Sequence, residues 1–126
     1  MTYTDAPELQ ELAEEVLRER PEMKDLLNAQ IKYVWAEGNK KKGKGYVYGQ
    51  CHKISEKERI VTNYHFIITF YEIAHECSPE ALKLLMTHEL KHAGFDASTG
   101  KTWIIDHDLQ DFKELVESNG IDWVRN

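Results

Sequence analysis

The run His88-Glu89-Leu90-Lys91-His92 constrains this chain most, because its chemistry makes sense only on a helix. Residues four apart share one helical face with Cβ atoms about 5–6 Å apart, so the two imidazoles can aim at one point. The flanking sequence supplies that helix. Ser78 suits a cap, Pro79 the first helical position and Glu80 the first turn. The pattern predicts a helix from Pro79 to about Ala93, stopped by Gly94 as a left-handed C′ residue. Imidazole is a favoured zinc ligand, with Zn–N bonds of about 2.0–2.1 Å. Glu89, one residue after the first histidine, falls beside such an ion rather than on it. There it can accept a proton from a zinc-held water, while the ion lowers that water's pKa and polarises a carbonyl. The competing reading is a histidine pair that is merely solvated or satisfied in the core. Leu82, Leu85 and Met86 argue against it, since polar groups buried unpaired in such company are costly. The motif therefore implies a zinc-dependent hydrolase with Glu89 as general base.

A catalytic zinc usually keeps three protein ligands and one open position. His107 leads as the third, as an imidazole at the predicted start of the last helix, after a loop long enough to return to the metal. Asp96, Asp106 and Asp108 are alternatives, with His52, His65 and His75 behind them, and Glu114 or Glu117 as distant carboxylates. The metzincin spacing is absent, since Gly94 comes too early. Asp106 and Asp108 could orient a ligand's second ring nitrogen, with Asp111 a further candidate, although Asp108 reads more simply as a helix cap.

Around this centre the pattern predicts an α+β domain spanning 1–126. Leu9, Leu12, Ala13, Val16 and Leu17 form the apolar stripe of a first helix, with Asp5 as cap, ended by Pro21, with a short turn from Glu22 to Asn28. Ile31–Trp35, Tyr46–Tyr48 and His65–Phe70 carry strand signals, so a small, mostly antiparallel sheet of about three strands is expected. Residues 37–45, with four lysines and three glycines, read as a solvated hairpin loop. Contact with an acidic partner or nucleic acid is the alternative for those lysines. Phe95 to about Ile105 reads as a loop, and Asp108–Asn119 as a last helix closed by Gly120. The segment Phe66–Thr69 could offer a sheet edge to an extended peptide. Trp35, Trp103 and Trp123 read as core anchors, and Tyr64, Tyr71 and His65 as candidate oxyanion donors.

Composition narrows the partners. A net charge of −6 argues against a general nucleic-acid binder. No segment has the length of apolar sequence that a membrane span needs, and Met1–Pro7 lacks the pattern of a secretory signal, so the expected address is the cytoplasm. Reduced thiols are expected there, and Cys51 and Cys77 read as packing residues.

From Tyr64 onward the chain resembles a family of phage metallopeptidases. The likeness rests on Phe66-Ile67-Ile68, the segment Leu84 to His92, His107-Asp108-Leu109-Gln110-Asp111-Phe112 and Gly120-Ile121-Asp122-Trp123. It covers about half the chain, and a weaker likeness reaches back to Ile31. Leu109 stands where valine is expected. The resemblance implies a phage or prophage origin, with the host cytoplasm as location, and a zincin-like minimal domain in which the sheet packs on the active-site helix between N- and C-terminal helices. It also supports His107 beside His88 and His92. A protein or peptide substrate is then expected; a metal-dependent nuclease and a non-catalytic zinc-binding interaction protein are the competing classes.

Overall fold

The computed structural model describes residues 1–106, and the architecture is α+β. In chain order the elements are β1 (Thr2–Asp5), α1 (Pro7–Glu19), a 3-10 segment (Pro21–Asn28), β2 (Ile31–Glu37), β3 (Lys40–Lys42), β4 (Gly45–Val47) and β5 (Gly49–Lys53). Then come β6 (Phe66–Phe70), α2 (Pro79–His92), β7 (Ala93–Phe95) and β8 (Thr102–Ile104), with short 3-10 turns at Glu58–Ile60 and Glu72–Glu76. The expected last helix, Gly120 and Trp123 lie outside the described residues. Among the described residues no helix is long and apolar enough to cross a membrane.

Four strands form the main sheet in the order β1-β2-β6-β5. β1 and β5 pair antiparallel with their neighbours, whereas β2 and β6 run parallel, with Ile31 opposite Phe66 and Trp35 opposite Phe70. The expectation of a mostly antiparallel sheet holds. Two strands of this sheet escaped the sequence reading, and the expected strand Tyr46–Tyr48 is not part of it: Gly45–Val47 pairs instead with Lys40–Lys42 in a separate ribbon. β1 has no buried residue, and β5 (Gly-Gln-Cys-His-Lys) lacks apolar alternation. β6 alternates strictly, with Phe66, Ile68 and Phe70 fully buried. Its position overturns one expectation: β6 sits between β2 and β5, so Phe66–Thr69 has no edge to offer a peptide.

Helix α1 buries Leu9, Ala13, Val16 and Leu17 of the predicted stripe against the sheet and α2, with Leu12 partly buried beside them. Its cap position is Ala6 rather than Asp5. Asp5 belongs to β1 and pairs with Lys32. Helix α2 begins as expected, with Ser78 Oγ accepting from Ala81 N at 3.2 Å. Lys83 ties α2 to Glu15 and Glu19 on α1, an exposed contact of small energetic weight.

The end of α2 differs from expectation. Ala93 turns the chain into extended backbone, and Gly94 continues as a strand residue without positive φ. It is glycine for a different reason: a Cβ there would stand 2.2 Å from Trp103 Nε1, so the indole occupies that space. Trp103 is accordingly half-exposed cover on β7, not a core anchor. The segment after Phe95 is a hairpin rather than a loop. Its turn is held by Asp96, which accepts from Ser98 N and Ser98 Oγ, and by Gly100 at φ 75°.

Candidate metal centre

The second half of α2 is enclosed. Every residue from Leu85 to Leu90 is buried, a run longer than one helical turn, so this stretch has no solvent face. Leu85, Met86 and Leu90 join the core. Thr87 donates its hydroxyl to Lys83 O at 2.8 Å. His88 and Glu89 are thereby held in the interior, and His92, one turn on, is half-buried. One ligand atom from each of these three residues lies within 4.8 Å of the others.

The imidazoles meet edge to face, with Nε2 of His88 and Nε2 of His92 separated by 3.2 Å. Two nitrogens bound tetrahedrally at about 2.0–2.1 Å would stand about 3.3 Å apart, so the spacing fits a single first-row ion. The protonation pattern fits too. His92 Nδ1 lies 2.7 Å from Ile105 O, and a carbonyl can only accept, so Nδ1 carries the hydrogen. In the neutral ring that leaves the Nε2 lone pair facing His88. The contact is doubled by Ile105 N donating to His92 O at 2.8 Å, so the strand leaving β8 clamps the end of α2.

Glu89 lies against β5. A Cβ on Gly49 would fall 3.3 Å from both Glu89 Cγ and Oε2, so the absent side chain makes room for the carboxylate. Burial pushes that carboxyl up to about 8. A cation in the same cavity acts in the opposite direction. Two imidazole nitrogens and a buried carboxylate, with ligand atoms within 4.8 Å of one another, thus form a donor set suited to a divalent ion.

These groups line a cavity of about 450 Å³ with Gly49 and Cys51 of β5, Ile104 and Asp106. Lys40, Lys41 and Lys42 also line it. The expected hairpin loop is itself a two-stranded ribbon, β3 with β4, forming one wall of the site. Of the alternative ligands, Asp106 reaches the cavity and His107 lies outside the described residues, as do Asp108, Asp111, Glu114 and Glu117. Asp96 is taken up by its turn. His65 Nδ1 accepts from Gln30 N at 2.9 Å, and His75 stacks on Trp35 at 3.7 Å between ring centroids, so both serve the scaffold. His52 is exposed on β5. Tyr71 donates to Gln50, Tyr64 lies beside Lys32, and neither lines this cavity. Cys51 and Cys77 are free thiols. Gly49 and the Ile105 carbonyl were invisible in the sequence: glycine before a strand reads as a turn, and a backbone acceptor has no residue signature.

The family model described as "Putative phage metallopeptidase" matches residues 1–126, the whole chain. The chain belongs to that family. The match reaches further toward the N-terminus than the resemblance read from Ile31 onward. No curated protein and no solved structure matches it. The family's description and the His88–Glu89–His92 group together indicate a metal-dependent hydrolase at a coarse level.

Proposed function

We propose that this phage metallopeptidase family member is a zinc peptidase of zincin-like design, with His88, His92 and His107 as ligands and Glu89 as general base. The observation that carries the reading is the pairing of two Nε2 atoms at 3.2 Å, one with its tautomer set by Ile105, next to a buried carboxylate. Support for His107 is its place in the sequence, two residues after the Ile105 that is bonded twice to His92.

A zinc ion in this donor set supplies Lewis acidity toward water and toward a substrate carbonyl. The chain's own groups do the rest. The Ile105 carbonyl keeps the His92 proton on Nδ1 and fixes the ring plane. Glu89 takes a proton from the attacking water on its carboxylate and passes it to the leaving amine nitrogen. Gly49 lets that carboxylate sit against the backbone of β5. Because β5 is an edge strand among the described residues, an extended peptide added alongside it would run past Glu89.

The test is Glu89→Gln in the zinc-loaded protein, assayed on a proteome-derived peptide library by mass spectrometry. Hydrolysis should fall by about a hundredfold or more, while zinc content stays as in wild type and the melting temperature does not fall. Full activity in the variant would refute the mechanism. A wild type that holds zinc but cuts no peptide would favour a non-catalytic binding protein.

A further inference from the structure

The ribbon β3–β4 concentrates four lysines, Lys40, Lys41, Lys42 and Lys44, within residues 40–47, with no acidic residue among them, in a chain of net charge −6. Solubility does not need cations in a chain with 22 acidic residues. Among the described residues none of the four forms an ion pair with a carboxylate. Their position is specific. The base of the ribbon is pinned where Gly38 O accepts from Glu72 N at 3.1 Å and Asn39 Oδ1 accepts from Ile73 N at 2.8 Å. Lys40 Nζ donates to Gln50 on β5 at 3.1 Å, next to the Gly49 that seats Glu89. Alternation along the strand puts Lys42 on the same face as Lys40, while Lys41 leans over its cross-strand partner Tyr46. The cavity is thus polarised, with lysines along the ribbon wall and Glu89 and Asp106 elsewhere in its lining.

We propose that this wall selects peptide substrates carrying Asp or Glu beside the bond that is cut, with the acidic side chain held by Lys42 and its ribbon neighbours. The inference rests on the peptidase reading for the word substrate, and on the ribbon alone for the charge preference. Within a Debye length of about 8–10 Å, clustered cations in a cleft focus the field onto an incoming anion. Asp106 lines the cavity away from the ribbon, so the acidic residue sits to the ribbon side of the reacting carbonyl. A peptide fits better than nucleic acid, because the rest of this acidic chain repels a polyanion extending beyond the cavity.

The experiment has a binding arm and a cleavage arm. A fluorescein-labelled decapeptide with four glutamates is titrated by anisotropy into full-length zinc-loaded Glu89→Gln, beside its all-glutamine counterpart. The acidic peptide should bind at least tenfold tighter at low salt. Lys42→Met, at an exposed position, should cut that preference threefold or more, and Lys101→Met, at the turn of the β7–β8 hairpin and not among the cavity-lining residues, should leave it unchanged. Equal binding of the two peptides, or equal losses in both lysine variants, would overturn the proposal. So would a decamer of thymidylate that outcompetes the acidic peptide, which would assign the wall to nucleic acid. In the cleavage arm, wild-type cuts in a peptide library should be enriched in Asp or Glu near the cleaved bond. Cleavage without enrichment would overturn this inference and leave the peptidase standing. Charge-dependent binding without cleavage would do the reverse.

Discussion

Glu89 is where the demands of folding and chemistry conflict most directly. A carboxyl in an apolar helix environment costs stability, and the same burial pushes its pKa up to about 8. The chain accommodates it by leaving Gly49 bare, so that Oε2 meets β5 without a clash. Gly49→Val would push branched methyls into the carboxylate and Leu85 Cδ1. It should cost about 1–3 kcal/mol of stability and lower hydrolysis more than zinc affinity, because the ligands themselves stay in place. Unfolding titrations beside the activity assay would check this; unaltered turnover would show that the packing against β5 is not functional.

Among the elements, the helices were legible and the pairings were not. The stripe of α1 and the Ser78-Pro79-Glu80 start of α2 are local signals, carried by spacing and caps that act within a few residues. The parallel pairing of β2 with β6 joins residues 35 apart, and nothing local encodes it. β5 was missed because a strand whose faces meet α2 on one side and solvent on the other need not be apolar. The pairing of His88 with His92 was readable from their four-residue spacing. The clamp on His92 was not, because it depends on a hairpin that brings back Ile105. That hairpin depends in turn on Trp103 lying over Gly94. Gly94→Ala should displace the indole and loosen the Ile105 contact, weakening zinc binding about tenfold, as loss of a ligand's hydrogen-bond partner typically does. Competition with a chromophoric chelator would read the change. Unaltered affinity would mean that the hairpin does not hold His92.

At the scale of the whole molecule, the neutral thiols of Cys51 and Cys77 and the phenol of Tyr33 are acids packed against or into the core. Burial pushes Cys51 up to about 12 and Cys77 up to about 11, and holds Tyr33 well above the ordinary tyrosine range. Each must stay protonated in the fold, whereas the unfolded chain releases its thiol protons from about pH 8.5. The sign follows: the stability is fully present below that pH and is lost as pH rises toward 11–12. Between pH 8.5 and 10 the urea midpoint should therefore fall, with each buried thiol contributing at most about 1.4 kcal/mol per pH unit. Cys77→Ala should flatten the slope. A midpoint independent of pH over that range would show the thiols to be accessible.

The same architecture carries the central claim, that this enclosed end of α2 is a metal centre. Metal analysis of the purified, dialysed protein tests it most directly, with wild type, Glu89→Gln, His88→Ala and His107→Ala side by side. The account predicts one zinc per chain in wild type and in Glu89→Gln, and loss or severe weakening in both histidine variants. Wild-type protein that binds no divalent ion, or His88→Ala with undiminished stoichiometry and affinity, would contradict it.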